Sequence, residues 1–182
     1  DQLIYHESLG NTKYLHSNSG SAAITETTVW NDTSPTTTQF TVGTNGAVNT
    51  NGGTYLFYAW ANSGVYLFGD YTGNSNADGP MINVGGYPIT SVIKRANAAT
   101  EYYHINGVSR NTNPNGELTL LEQSQAQYAQ NSAFYRDLLS NGFKIRNADA
   151  AQNHSGSQHI FMAFGIQPIQ GNGTDTSQGR SK

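Results

Sequence analysis

Residues 49–61, Asn-Thr-Asn-Gly-Gly-Thr-Tyr-Leu-Phe-Tyr-Ala-Trp-Ala, place a turn signal directly before the strongest strand-like run of the chain. Tyr, Phe and Trp favour strands, whereas Asn and Gly favour turns. The pattern returns without gaps at residues 153–165, Asn-His-Ser-Gly-Ser-Gln-His-Ile-Phe-Met-Ala-Phe-Gly, with Asn, Gly, Phe and Ala identical. The alignment matches Phe57 with Phe161, and we expect the two side chains to have similar surroundings in an internally duplicated fold.

Other short strand-like runs, each bounded by Gly, Asn, Asp or Pro, recur along the chain at residues 4–6, 39–42, 66–71, 81–84, 91–95, 101–105, 143–146 and 159–164. Such runs, separated by turn signals, are typical of antiparallel strands in sandwiches and barrels. We therefore predict an all-β fold, an antiparallel β-sandwich of lectin-like or jelly-roll type. At most one short helix is expected, at residues 122–129, which contain no Gly or Pro.

The alignment extends beyond the two long runs, because Phe40 matches Phe143 and Tyr5-His6 matches Tyr103-His104. We therefore predict a first, incomplete unit at 1–65, a second unit at 66–165, and a polar C-terminal arm at 166–182. A sandwich that lacks strands exposes an edge and an apolar face. Either another chain or polypeptide upstream of Asp1 covers that face, and we favour the second.

The composition excludes several classes of protein. The 182 residues include no cysteine, so disulfide frameworks, zinc ribbons and thiol nucleophiles are excluded. The net charge of −3 and only nine Lys and Arg argue against a nucleic-acid partner. No apolar run approaches the length that membrane insertion requires. Only 12% of the residues are charged, while Gly and Asn number 20 each, and such a neutral surface suits an extracellular or virion location.

Four separated motifs then carry a resemblance: IYHESLGNTKYL at 4–15, VWNDTSPT at 29–36, GDYTGNSNADGP at 69–80 and LLSNGFKIR at 138–146. In this order they resemble a repeated β-domain of tail-fibre and other virion structural proteins of tailed bacteriophages. The resemblance covers Ile4 to Gly165 and implies a virion component, expected to be part of an appendage. It supplies no catalytic residues, so none is carried over.

The side chains that could perform chemistry lack a reactive arrangement. The sequence has five histidines: His6, His16, His104, His154 and His159. A catalytic histidine needs a positioned acid and a nucleophile, and neither Gly-x-Ser-x-Gly nor His-Glu-x-x-His occurs in the sequence. Glycosidases need two facing carboxylates, and no pairing is visible among Glu7, Asp32, Asp70, Asp78, Glu101, Asp137 and Asp149. We therefore expect no enzyme, with a polysaccharide depolymerase domain as the alternative.

A glycan platform would combine exposed aromatic rings with amide and carboxylate groups. The two patches that fit are Trp30-Asn31-Asp32 and Tyr71 with Asn74. The competing interpretation places Trp30 and Trp60 in the core. It is preferred for both, and more strongly for Trp60, which lies within an apolar run.

The loop Asn74-Ser-Asn76-Ala-Asp78-Gly79 imitates the first half of an EF-hand calcium loop. Gly85 stands where the bidentate Glu would be needed. A hairpin loop is therefore the favoured interpretation. Calcium bound by Asn74, Asn76 and Asp78 is the alternative, and no other cofactor is expected.

Together these observations predict a non-enzymatic module of a phage tail fibre, spike or surface appendage. We expect it to form a homo-oligomer, a trimer in the case of a fibre, and to contact other virion proteins. Its polar loops would bind a cell-surface glycan weakly at each site, with avidity from many copies. A capsid or tail decoration protein without a ligand is the remaining alternative.

Overall fold

A computed structural model of the chain describes residues 2–99, 103–107, 119–121, 135–165 and 167–168. The strands in these ranges are β1 (Leu3–Ile4), β2 (Lys13–His16), β3 (Ile24–Thr25), β4 (Tyr66–Thr72), β5 (Met81–Asn83), β6 (Gly86–Tyr87), β7 (Thr90–Arg95), β8 (Tyr103–Gly107), β9 (Thr119–Leu121), β10 (Arg136–Leu139), β11 (Gly142–Ile145), β12 (Gln158–Phe164) and β13 (Gln167–Pro168). Every pair of these strands that is hydrogen-bonded is antiparallel, which confirms the predicted all-β class.

The largest sheet has five strands in the order β4-β12-β7-β8-β9. Strand β12 lies between β4 and β7, so that Phe161 is opposite Gly69 on one side and Ile93 on the other. A Cβ on Gly69 would lie 2.9 Å from the Phe161 ring. The absence of a side chain at Gly69 therefore makes room for an aromatic ring on the neighbouring strand.

A second sheet, in the order β10-β11-β5, packs against one face of the five-stranded sheet. The main hydrophobic cluster draws on both sheets and contains Ile82, Val84, Ile93, Leu138, Phe143, Ile145, Phe161 and Ala163. The rings of Phe143 and Phe161 meet edge to face within it, with centroids 5.6 Å apart. This arrangement is favourable for aromatic pairs.

The opposite face of the five-stranded sheet is covered by the N-terminal strands β1, β2 and β3, which form a sheet of their own. Leu9, Leu15, Ala96 and Ile160 make the second cluster on this side. Consecutive residues of β12, Ile160 and Phe161, are thus both buried, one in each cluster. Successive side chains of a strand point to opposite faces, so β12 has apolar surroundings on both.

The helices are three four-residue turns, α1 (Thr27–Trp30), α2 (Gly46–Asn49) and α3 (Ala150–Asn153), with a 3₁₀ turn at Glu7–Leu9. The predicted number of helices, at most one, was too low. Four-residue helices can begin at a side-chain cap without the long periodic pattern by which longer helices are predicted. Glu26, Asn45 and Asp149 accept these capping hydrogen bonds. The helix expected at 122–129 lies outside the described residues. No helix within them is both long and apolar enough to span a bilayer.

The strands predicted at 39–42 and 54–61 were wrong, since both segments lack helix and strand. Consequently Phe57 and Phe161 have unlike surroundings: the side chain of Phe57 is 65% exposed, whereas that of Phe161 is 4% exposed. The physical reason is that a strand needs a hydrogen-bonded neighbour. Strand β12 has two, and residues 54–61 have none among the described residues. The expected structural equivalence of the two units therefore fails where the sequences agree best.

Candidate functional site

The most exposed apolar surface of the described chain lies on residues 54–61, which we call the aromatic segment. Leu56 is 79% exposed, Tyr58 72% and Trp60 55%. Tyr55 and Phe57 are exposed as well. Large apolar side chains grouped in this way mark interaction sites rather than ordinary surface.

The start of the aromatic segment is fixed by the preceding turn. The Thr50 amide N–H donates to the Tyr55 hydroxyl oxygen over 2.7 Å, and this hydroxyl donates to the Gly46 carbonyl over 3.1 Å. Two residues after Tyr55, the ring of Phe57 packs against the ring of Phe40, with centroids 4.9 Å apart. Tyr55 and Phe57 thus connect the segment to residues 40–50.

The end of the aromatic segment is fixed by a turn that leads into β4. The Ser63 amide donates to the Tyr66 carbonyl over 2.8 Å, and the Asn62 side-chain oxygen accepts from the Phe68 amide over 2.8 Å. These two bonds occupy the outer edge of β4 at this end. The aromatic segment is therefore held at both ends.

Five rings form a continuous aromatic patch, made of Tyr58, Trp60, Tyr66, Phe68 and Phe164. The Tyr58 and Trp60 rings are nearly parallel, with centroids 5.9 Å apart and an interplanar angle of 18°. Phe164, at the end of β12, meets Trp60, Tyr66 and Phe68 edge to face at 5.9 to 6.4 Å. The patch therefore joins the aromatic segment to the edge of the five-stranded sheet.

The aromatic segment lies within a long stretch of sequence that carries no charge. Between Asp32 and Asp70 the sequence contains no Asp, Glu, Lys, Arg or His. Edge strands usually carry charges that discourage association with another chain. This signal was available in the sequence. So was the presence of large apolar residues at both odd and even positions of 55–60, which predicts cover on two sides.

Trp30, predicted to be part of a glycan platform, is only 9% exposed. Its indole N–H donates to the Lys13 carbonyl over 3.0 Å, and its ring meets Tyr5 edge to face. Asn31 and Asp32 are exposed, and both adopt left-handed backbone conformations where α1 ends. The expectation that Trp60 lies in the core was wrong, because its strand partners are missing from the described residues.

Tyr71, the second predicted platform residue, is held from two directions. Its ring stacks on His159, with centroids 5.0 Å apart, and its hydroxyl donates to the Gln152 carbonyl over 2.6 Å. Burial raises the pKa of the Tyr71 hydroxyl. Asn74 is exposed on the adjoining loop, where its backbone N–H donates to Asn153 Oδ1 over 2.8 Å. One ring face and the hydroxyl of Tyr71 are thus already occupied.

The loop at residues 74–78 uses its side-chain oxygens to shape its own backbone. Asn74 Oδ1 accepts from the backbone N–H of Asn76, and Asn76 Oδ1 accepts from the backbone N–H of Asp78, both over 2.9 Å. Asp78 Oδ1 pairs with Lys144 Nζ at 2.9 Å and Arg146 at 3.3 Å. The hydrogen bond from Lys144 lowers the pKa of the Asp78 carboxyl. This arrangement supports the hairpin-loop interpretation over calcium binding.

Within the described ranges, no three or more His, Cys, Asp or Glu side chains gather in a way that could hold a metal ion. Asp78 and Asp137 both pair with Arg146, at 3.3 Å and 3.1 Å. The two carboxylates thus hold one guanidinium between them.

The histidines are mostly structural. His6 accepts from the Ser8 amide through Nδ1, so its Nε2 donates to the Phe161 carbonyl, 3.3 Å away. Burial lowers the pKa of His104 to about 3 and of His159 to about 4, so both rings are neutral near pH 7. His154 Nδ1 lies 3.0 Å from both the Ser155 carbonyl and Ser157 Oγ. His154 is thus held within its own turn by these two contacts.

Arg136 was missed by the sequence analysis, although it is fully buried between the five-stranded sheet and the β10-β11-β5 sheet. Its guanidinium donates to Ser91 Oγ over 3.1 Å and to the His104 carbonyl over 3.0 Å. Burial lowers the pKa of Arg136 to about 10. These contacts tie β10 to β7 and β8. No local pattern around residue 136 distinguishes it from a surface arginine.

Comparison with known proteins gives one family. The profile of a domain of unknown function, DUF7483, matches residues 1–168. Neither a curated protein nor a solved structure matches the chain.

Proposed function

We propose that this chain, which belongs to the DUF7483 family of domains of unknown function, is a non-enzymatic structural and adhesion module of a phage virion. It assembles with copies of itself and with other virion proteins, and its polar loops face a glycan or receptor on the host surface. The motif resemblance at 4–15, 29–36, 69–80 and 138–146 supports the virion setting.

The observation that carries this proposal is the exposed, uncharged aromatic segment. Leu56 and Tyr58 each expose more than two thirds of their side chains, and no charged residue lies nearer in sequence than Asp32 and Asp70. A large exposed apolar surface of this kind marks an interaction site, and covering it with another surface is favourable in water. Assembly accounts for it directly.

A second candidate function, a decoration protein without a ligand, is favoured by the state of the predicted glycan residues. Trp30 is in the core, and the Tyr71 hydroxyl is bound to the Gln152 carbonyl. Neither patch offers a free aromatic face with a free polar partner. The glycan-binding part of the proposal therefore rests on the polar loops.

Sedimentation and polysaccharide binding together test the proposal. We expect the purified chain to sediment as an oligomer at micromolar concentration, and to bind host surface polysaccharide without releasing reducing ends. Assembly without any polysaccharide binding would favour the decoration protein. New reducing ends would overturn the non-enzymatic assignment. A monomer that binds neither polysaccharide nor virions would overturn the proposal as a whole.

A further inference from the structure

The backbone of the aromatic segment is free to pair. None of the amide or carbonyl groups of residues 54–61 makes a hydrogen bond with another described residue. The hydrogen bonds at Tyr55 and Asn62 hold the two ends of the segment through side chains. Eight consecutive residues with unpaired backbone groups can form a strand when a partner segment pairs with them.

The sequence of the segment is suited to a strand with neighbours on both sides. It aligns without gaps on β12, which pairs with β4 on one side and β7 on the other. The aligned residues include Leu56 with Ile160 and Phe57 with Phe161. In β12 these positions are buried on opposite faces, whereas in the aromatic segment both are exposed. The segment therefore has the side chains of an interior strand without its neighbours.

We infer that the aromatic segments of two copies of this chain pair as antiparallel strands about a two-fold axis. This inference rests on the proposed assembly function and names its contact surface. A two-fold axis brings the same segment of each copy together and closes the contact at two copies. The two strands pair through their backbone groups, and rings such as Tyr58 and Trp60 become cross-strand neighbours.

The lack of charge favours a second copy over a charged partner. From Thr33 to Gly69 there is no charge to repel an identical surface, and none to attract a basic or acidic protein. The area is also sufficient. An aromatic side chain buries about 150 to 250 Å² when covered. Five large side chains, four of them aromatic, are exposed by 46 to 79% and offer an area on the order of 600 Å² per copy, or roughly 1,200 Å² for the pair. This total lies at the lower end of the range of specific interfaces, about 1,200 to 2,000 Å².

Two-fold pairing has a consequence for the number of copies. It gives an even number, in contrast to the trimer expected from the resemblance to tail fibres. The contact can also join two larger assemblies, because the antiparallel pair uses only residues 54–61 and leaves the polar loop at 74–78 exposed.

Spin labels on single cysteines test the pairing, since the chain has no native cysteine. We would label Leu56→Cys, Tyr58→Cys and Trp60→Cys in turn and measure distances between copies by electron paramagnetic resonance. In an antiparallel pair the separation changes by about 7 Å for each residue away from the axis, twice the rise per residue. Full pairing of residues 54–61 puts the axis between Phe57 and Tyr58, so we expect the shortest distance for the label at position 58 and the longest for the label at position 60. This order supports the inference, and equal distances at the three positions overturn it.

Acidic substitutions provide the second arm of the test. Tyr58→Asp places two like charges near the axis, and we expect at least a tenfold weaker association by sedimentation equilibrium. Ile24→Asp is the control, because Ile24 is an exposed apolar residue on β3, outside the segment. Equal effects of the two substitutions, or none from Tyr58→Asp, overturn the inference. An oligomer with a flat label profile refutes the two-fold pairing and leaves the proposed assembly function intact. A monomer that binds host polysaccharide refutes the pairing alone.

Discussion

Phe161→Ala and Phe57→Ala remove the same atoms from aligned positions of the chain, yet we expect them to differ in stability. Phe161 lies between the five-stranded sheet and the β10-β11-β5 sheet, where its ring meets Phe143 edge to face and covers Gly69. Phe57 is mostly in solvent and rests on Phe40 alone among the rings described. The pair therefore separates the effect of burial from the effect of residue type.

The magnitudes follow from the buried fractions. Removing a fully buried Phe ring costs about 3 to 5 kcal/mol, because the lost transfer free energy adds to the cost of the cavity. We expect about 4 kcal/mol for Phe161→Ala. For Phe57→Ala, with 65% of the side chain already exposed, we expect less than about 1 kcal/mol.

Urea unfolding, at a concentration where the chain is monomeric, measures both values. With a slope of about 2 kcal/mol/M, the midpoint should fall by about 2 M for Phe161→Ala and by less than about 0.5 M for Phe57→Ala. Gly69→Ala supplies an internal check. Its Cβ would lie 2.9 Å from the Phe161 ring, so its cost should shrink in the Phe161→Ala background. Equal midpoint shifts for the two phenylalanines would refute the reasoning.

Three further outcomes are expected. Stability should decrease as the pH falls from about 6.5 towards 4, because unfolded histidines bind protons there while His104 and His159, with pKa values of about 3 and about 4, do not. Each can contribute up to about 1.4 kcal/mol per pH unit, and urea midpoints that do not change between pH 7 and pH 5 would contradict this. Gly142→Ala should cost at least about 3 kcal/mol by thermal melting, because its Cβ would lie 1.9 Å from a carbonyl oxygen of β5. Acrylamide should quench Trp60 strongly and Trp30 weakly in the monomer, and Trp60→Phe should remove the quenchable emission.

Most strands of the five-stranded sheet and of the β10-β11-β5 sheet could be predicted from sequence because their signals are local, whereas β9 and β10 were not predicted. The runs at 66–71, 81–84, 91–95, 143–146 and 159–164 each overlap a strand of the structure. Each joins apolar or aromatic residues to a flanking turn signal. The run at 54–61 has the same composition and fails as a strand. Strand formation also depends on a neighbour, and composition does not say whether one exists.

The candidate site was predicted less well than the fold. Trp30 was a candidate for the glycan platform, but α1 turns Val29 and Trp30 inward together, as the preferred core interpretation expected. The hydroxyl of Tyr71 is bound by a carbonyl 81 residues further along the chain. Contacts of this range leave no mark in the local sequence. The missing charges between Asp32 and Asp70 were the better guide to the surface.

The N-terminal strands also determine where the polypeptide can be divided. Leu9 and Leu15 cover Ile160, while the Tyr103 hydroxyl and the Lys94 ammonium donate to the carbonyls of His16 and Gly20. A truncation that starts at Tyr66 would bare one whole side of β12 to water. A gene fusion or recombination event that moves this domain to another protein must therefore include the first twenty-five residues. The transferable segment is longer than the second sequence unit, residues 66–165.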